Sequence, residues 1–170
     1  MDFAMSANGQ EYHDKLTDFM VEHVFPAEAA YDAYRAEKGP KDFTVPPVVE
    51  DLKHAGKKLV LITNSEWFYT KSMMSYCFDR SLGGRGWRSL FDLVIVSARK
   101  PAFFSERMPA FEVIDDDGRL IPAPGRLELG KSYLGANARL VEQSLDIPGD
   151  DILYVGDHIF GDILRSKKDS

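Results

Sequence analysis

The sequence predicts an α/β domain built on a Rossmann-like, doubly wound and mostly parallel sheet that is incomplete. Three apolar runs of strand length, at 59–62, 93–96 and 152–155, alternate with segments of helical periodicity. This alternation is typical of a parallel sheet covered by helices on both faces. Polar residues follow each run, as at the strand ends where α/β proteins bind ligands. Three strands make a thin sheet, so we expect further strands to be missing at one or both ends.

The first forty-five residues predict helices. Apolar residues recur on one helical face over 11–25, and Pro26 is expected to end that helix. A second helix is predicted over 27–38, closed by Gly39, and a short third one follows a Pro-Pro break and runs over 47–54. We therefore divide the chain into a helical segment, 1–45, and a core, 46–170.

The core begins with the first apolar run and alternates from there. The remaining predicted elements are a strand at 59–62, a helix at about 69–78, a strand at 93–96, a hairpin of 111–114 with 119–121, an amphipathic helix at 137–145 and a strand at 152–155. The hairpin is predicted because its turn, Asp115 to Gly118, ends in Asp-Gly, a strong turn signal.

The bulk composition excludes several classes of function. A chain of 170 residues with 44% hydrophobic residues can bury a sizeable core. A net charge of −6 argues against a nucleic-acid backbone or an anionic membrane surface as partner. Cys77 is the only cysteine, which excludes an internal disulfide and a cysteine-based zinc cluster, and we expect its thiol to be buried. With no membrane-length apolar run and no secretory signal, a cytoplasmic location is expected.

The polar residues that follow the three runs are of a definite kind. The candidate site residues are Thr63, Asn64 and Ser65 after the first run, Lys100 after the second, and Asp157 and Asp162 after the third. In a parallel sheet these strand ends lie on one edge. Hydroxyl and amide donors with a lysine can hold phosphate oxygens, and paired carboxylates suit Mg²⁺. Each element alone also fits a structural role: 63–65 or Asp157 could cap a helix, and Lys100 and Asp162 could be solvated side chains.

In this order the residues resemble the haloacid dehalogenase-like hydrolases, and more closely their cytosolic purine 5′-nucleotidase branch. The resemblance covers about 48–168. The segments that carry it are 61–65 with Tyr69-Thr70, 91–104, and 156–162 with 166–168. The first forty-odd residues match only loosely.

The resemblance implies a role for each candidate residue. Thr63 would hydrogen-bond the transferring phosphoryl group, with Asn64 and Ser65 assisting, and Lys100 would pair with the phosphate and the nucleophile. Asp157 would bind Mg²⁺, with Asp162 as its outer or water-mediated partner. Enzymes of this branch hydrolyse nucleoside 5′-monophosphates through a phosphoaspartate. That chemistry requires the charge on the phosphate oxygens to be held while a carboxylate attacks in line.

The family's first motif, Asp-x-Asp-x-Thr, is absent from this sequence. Segment 2–6 has one Asp and no preceding strand, and the acids at 115–117 belong to a predicted turn. The family places a large cap between its first motif and the strand before Thr63, so 1–45 is expected to be a cap remnant. The chain is then expected to be a fragment, or a gene model begun at an internal Met. It is expected to bind Mg²⁺ and phosphate poorly and to turn over nothing.

Other functions remain open at this stage. A catalytically inactive pseudoenzyme could serve as a regulatory or oligomerisation module. A receiver domain fits poorly because its acids precede the hydroxyl and the lysine, and no Gly-x-Gly-x-x-Gly supports a dinucleotide site. His158 could be a ligand, a proton shuttle or a loop residue, and 67–69 could stack on a base or pack in the core. The identity of the phosphate ester and a homo-oligomeric state also stay open.

Overall fold

The computed structural model describes residues 6–39, 48–158 and 162. The chain divides into two compact units, Met1–Pro46 and Pro47–Ser170, and each is described by itself. The Pro-Pro break, the segment 166–168 and all but Ser6 of segment 2–6, which were interpreted from the sequence, lie outside the described residues.

The first unit is helical from Ala7 to Lys38. Helix α1 (Ala7–Phe19) leads through a π-helical turn (Met20–Val24) into α2 (Phe25–Lys38). The prediction that Pro26 ends the helix is wrong. Pro26 lies in the first turn of α2, where its missing N–H costs little because the wide π-helical turn precedes it. The chain leaves α2 at Gly39, whose φ of 86° suits glycine.

The second unit carries the sheet. Its helices and strands, in chain order, are α3 (Val48–His54), β1 (Val60–Ile62), α4 (Trp67–Met74), β2 (Leu93–Val96), α5 (Ala102–Ser105), β3 (Ala110–Val113), β4 (Leu120–Ala123), β5 (Lys131–Gly135) and α6 (Ala138–Leu145). A π-helical turn (Ser75–Asp79) extends α4, and 3₁₀ turns occupy Trp87–Leu90 and Gly149–Asp151. The predicted hairpin is confirmed, with β3 and β4 antiparallel.

The five strands form one open sheet in the order β1-β2-β5-β3-β4. Strands β1, β2 and β5 are parallel, β3 is antiparallel to both of its neighbours, and four of the five strands therefore point the same way. This confirms the predicted α/β class with an incomplete, mostly parallel sheet. The sequence interpretation missed β5, which lies at the centre of the sheet.

The predicted third buried strand, 152–155, is wrong. The structure gives this segment no strand, and Leu153 and Val155 are 87% and 82% exposed. A strand forms only where a neighbouring strand satisfies its N–H and C=O groups. The outer edge of β1 is the terminal edge of the sheet over the described residues, and 152–155 does not join it.

Apolar side chains cover both faces of the sheet. Successive residues of a strand point to opposite faces, so Leu93 and Ile95 of β2 join one buried cluster while Val94 and Val96 join the other. Burial on both faces explains why this strand is apolar throughout. Trp67 packs in the second cluster with 4% exposure, which confirms the core alternative for that residue.

Asp92 ties the amino-terminal end of β1 to α3 and β2. Its carboxylate accepts a hydrogen bond from the Leu59 N–H at 2.9 Å and pairs with Lys53 and Lys58 at 3.4 and 3.2 Å. Burial acts to raise the pKa of Asp92, but these hydrogen bonds and charges outweigh it and lower the pKa. Asp92 is therefore a structural anchor at the end of the sheet opposite to the candidate site.

The thiol of Cys77 was expected to be buried. Cys77 is half-buried, so this prediction is wrong in degree. Within the described residues, no helix has the length and apolar character needed to cross a membrane.

Candidate functional site

The loops after β1 and β2 run side by side at the carboxyl edge of the sheet. The backbone N–H of Ala98 donates to the Thr63 carbonyl at 3.0 Å, and the N–H of Ser97 donates to the Ser65 carbonyl at 2.9 Å. Ser97 and Arg99 have positive φ values of 48° and 59°, which turn the chain tightly before Lys100. The two strand ends that were expected to share an edge therefore do so.

Asn64 connects these two loops directly. Its Oδ1 accepts a hydrogen bond from the Lys100 N–H at 2.6 Å, and its side-chain amide donates to the Lys100 carbonyl at 3.1 Å. Both functional ends of the amide are used on the backbone of one residue. The structure therefore places Asn64 as a support for the lysine loop.

Thr63 and Ser65 are half-buried beside this clamp. The Thr63 Oγ1 accepts a hydrogen bond from the Ser65 N–H at 3.1 Å, which closes a tight turn after β1. A hydroxyl that accepts one hydrogen bond still has its own hydrogen to donate. Thr63 can therefore donate to a ligand oxygen at this edge.

Lys100 forms an ion pair with Asp162. Its Nζ lies 2.9 Å from Asp162 Oδ1, and the side chains of the two residues are 15% and 4% exposed. The Tyr154 hydroxyl joins the pair, since it accepts from Lys100 Nζ at 2.9 Å and donates to Asp162 Oδ1 at 3.1 Å. The Phe104 ring supports Tyr154 edge-on, with ring centroids 5.1 Å apart. The polar residues that follow the second and third apolar runs of the sequence are therefore in direct contact.

The charges of this pair reinforce each other. Burial acts to lower the pKa of Lys100, but hydrogen bonds to Tyr154 and Asp162 outweigh it and raise the pKa. Burial acts to raise the pKa of Asp162, but the Lys100 ammonium and the His158 N–H outweigh it and lower the pKa. Both groups are therefore charged at neutral pH.

Asp162 lies close to Gly156 and His158. The Asp162 N–H donates to the His158 carbonyl at 2.8 Å, and Asp162 Oδ2 accepts from the His158 N–H at 3.2 Å. A Cβ at position 156 would lie 2.6 Å from the Asp162 Cβ, so only glycine fits there. Asp157 follows this glycine and is exposed, while residues 159–161 lie outside the described residues.

The two carboxylates differ in what they can offer a metal ion. Both oxygens of Asp162 already accept hydrogen bonds, whereas Asp157 is exposed and presents hard oxygen ligands. Over the described ranges there is no cluster of three or more His, Cys, Asp or Glu that could hold a metal. Mg²⁺ often takes only one or two carboxylates and completes its shell with water and substrate phosphate. Of the two carboxylates, Asp157 is therefore the one that could hold Mg²⁺ directly.

Tyr154 is the site residue that the sequence interpretation missed. It lies inside an apolar run that predicts a strand, where a tyrosine is an ordinary core residue. The available signal was its position three residues before Asp157. His158 contributes its backbone N–H and carbonyl to the loop, and Phe68 and Tyr69 are exposed.

The sequence of this chain is similar to proteins of two kinds. The model of the 5′ nucleotidase family matches residues 39–170. Over 117 residues the chain is 38% identical to the human and rat proteins named 5′-nucleotidase domain-containing protein 2, which is 68% of this chain but 22% and 20% of those proteins. A 57-residue stretch, 34% of the chain, is 58% identical to a probable acyl-CoA dehydrogenase, FadE2, of Mycobacterium tuberculosis and covers 14% of it. The chain thus spans about a fifth of its nucleotidase relatives.

Proposed function

Since this chain belongs to the 5′ nucleotidase family, we propose that it forms the phosphate- and Mg²⁺-binding part of a phosphomonoester hydrolase. The substrate proposed is a nucleoside 5′-monophosphate, cleaved to nucleoside and phosphate through a phosphoaspartate. The names of the human and rat relatives support this class of substrate.

The observation that carries the proposal is the Lys100–Asp162 ion pair at the carboxyl edge of the sheet. A lysine ammonium has three N–H donors, and two of them point to Tyr154 and Asp162. Within the described residues the third has no partner, so it can bind a phosphate oxygen or an attacking carboxylate. Because Asp162 holds the ammonium, its charge stays fixed in place, which is what stabilisation of a phosphoryl transition state requires.

The other site residues take roles that follow from their contacts. Thr63 donates its hydroxyl hydrogen to a phosphate oxygen, and Ser65 can add a second hydroxyl from the same turn. Asn64 assists indirectly, since it holds the backbone of Lys100. Asp157 is the proposed Mg²⁺ ligand, and the ion when bound would neutralise negative charge on the phosphate. The lowered pKa of Asp162 keeps that carboxylate ionised beside the lysine.

The sequence contains no Asp-x-Asp-x-Thr segment to supply the nucleophile and the general acid. We therefore propose that this chain binds a phosphate ester weakly and does not turn it over. The alternative proposal, favoured by the same missing motif, is a catalytically inactive binding or oligomerisation module. Turnover by an assembly that supplies the motif would favour the enzyme, while a partner bound without turnover would favour the module.

The test is a titration of the purified chain with a nucleoside 5′-monophosphate and Mg²⁺, compared with the corresponding nucleoside. Binding is expected near a Kd of about 1 mM, or roughly −4 kcal/mol, and to require the phosphate group. Lys100→Met should weaken it at least about tenfold, the loss of one charged hydrogen bond. The matched control is Lys57→Met, which removes an exposed lysine near the opposite end of β1.

Two outcomes would contradict the proposal. Equal binding of the nucleoside and its monophosphate would show that phosphate is not the recognised group. Release of inorganic phosphate by the chain alone, abolished by Asp157→Asn, would show that a nucleophile is present after all.

A further inference from the structure

The helices of the first unit carry an apolar stripe, defined here by Leu16, Phe19, Val24, Ala27 and Tyr31. The intervals along the sequence are three, five, three and four residues. Intervals of three and four keep side chains on one face of an α-helix. The interval of five coincides with the π-helical turn Met20–Val24, whose wider turn keeps α1 and α2 in register. The stripe therefore runs along one side of both helices.

The stripe is exposed. Leu16, Phe19 and Tyr31 are 60%, 53% and 43% exposed, and none of the side chains that the structure describes between 6 and 37 is buried. Isolated helices are marginally stable in water, and amphipathic ones gain most of their stability when the apolar face is covered. The stripe thus has the character of a surface that is covered in an assembly.

The similarity to an acyl-CoA dehydrogenase indicates what covers it. The dehydrogenase-like stretch of 57 residues and the nucleotidase-like stretch of 117 residues together slightly exceed the chain of 170. The nucleotidase family model matches residues 39–170. The dehydrogenase-like stretch therefore overlaps the nucleotidase-like one least if it lies at the amino-terminal end of this chain. We infer that the helices of the first unit belong to the dehydrogenase-like stretch.

In that relative the stretch makes up 14% of the chain, so the remaining 86% is available to bury an apolar stripe of this kind. We propose that α1 and α2 form a docking surface for an acyl-CoA dehydrogenase-type polypeptide, in the place of that polypeptide's own matching segment. Seven acidic and three basic residues lie between 7 and 38, so the partner's groove is expected to have basic residues along its edges. The account of 1–45 as a cap remnant stays a competing prediction.

The test is co-expression of the full 170-residue chain with an acyl-CoA dehydrogenase from which the matching 57 residues have been deleted. The chain is expected to co-purify with the shortened dehydrogenase at a one-to-one ratio. The double variant Leu16→Ala with Phe19→Ala should reduce the recovered complex at least about tenfold while keeping helix propensity, since alanine is the best helix former.

The matched control is Val21→Ala. Val21 is 58% exposed, close to the 60% of Leu16, but two residues from Phe19 it faces another side of the helix. It should leave the complex unchanged. A shortened dehydrogenase that does not bind the chain, or that stays insoluble with it, would overturn the proposal. So would a dimer of the chain alone that the double variant dissociates, since the stripe would then bind a second copy.

Discussion

Asn64 and Lys100, 36 residues apart in sequence, are joined by two hydrogen bonds between the side-chain amide of one and the backbone of the other. The contact fixes the loop after β2 against the loop after β1. It also means that the position of the lysine ammonium depends on a residue that carries no charge itself. The amide acts as a support on which the proposed phosphate site depends.

Replacing Asn64 by Ala should lower the free energy of unfolding by about 1 to 2 kcal/mol. Two hydrogen bonds are lost, each worth about 1 kcal/mol, and solvent replaces them in part because Asn64 is exposed. Urea unfolding measures the loss, and Ser65→Ala, which leaves the amide in place, is the control. An equal loss in both variants would contradict the supporting role of the amide.

Replacing Tyr154 by Phe should lower the pKa of Lys100. The tyrosine hydroxyl is one of the groups that raise that pKa, and phenylalanine keeps the ring that packs on Phe104. Titration of the Lys100 side chain by NMR measures the change. Phe104→Leu is the control for packing alone, and it should move this pKa less than Tyr154→Phe does.

Replacing Gly156 by Ala should destabilise the loop that carries Asp157. The added Cβ would meet the Asp162 Cβ at 2.6 Å, so the loop must open or the ion pair with Lys100 must shift. We expect a loss of about 1 to 3 kcal/mol, typical of overpacking. Gly86→Ala is the matched control, since a Cβ there meets nothing within 4 Å. Similar thermal midpoints for the two variants would contradict the close approach.

Stability should fall at both extremes of pH, for reasons that can be separated. The pKa values of Asp92 and Asp162 are lowered in the folded state. These carboxylates therefore stabilise the fold fully at pH values above their ordinary pKa, and the stabilisation is lost as the pH falls through their lowered pKa values. The pKa of Lys100 is raised in the folded state. Lys100 therefore stabilises the fold fully at pH values below its ordinary pKa, and the stabilisation is lost as the pH rises through its raised pKa.

Denaturant unfolding across the pH range measures this dependence. Asp92→Asn should flatten the acidic limb of the stability curve without changing the alkaline limb. Lys100→Met should flatten the alkaline limb. A curve whose acidic limb is unchanged by Asp92→Asn would show that its pairing with Leu59, Lys53 and Lys58 does not stabilise the fold.

Much of the sheet could be predicted because the apolar composition of its buried strands indicates that they are buried. Residues 93–96 are apolar throughout and lie buried on both faces, as the run predicts. Strand β5 was missed because Lys131 and Ser132 interrupt its apolar character, although Ser132 is fully buried. The run at 152–155 has the composition of a strand, but the composition of a segment does not indicate whether a neighbouring strand pairs with it.

The candidate site also has a part that the sequence predicts and a part that it does not. The positions of Thr63 and Lys100 were predictable because parallel strands deliver their ends to one edge. The hydrogen bonds between Asn64 and the Lys100 backbone could not be predicted, because they depend on the turn geometry at Ser97 and Arg99. The contact of Tyr154 with Lys100 depends on the path of 152–155 outside the sheet, which no local pattern in the sequence indicates.

The two edges of the sheet differ in a way that bears on handling of the protein in solution. At one edge, β4 contains Pro122, which has no N–H to offer an incoming strand. At the other, β1 is a short run of three apolar residues, and among the residues that the structure describes no strand pairs with its outer side. Such an edge is a template for edge-to-edge pairing between molecules. Concentrated solutions are therefore expected to form β-rich aggregates that grow from β1, and a charged residue placed on that strand should slow their growth.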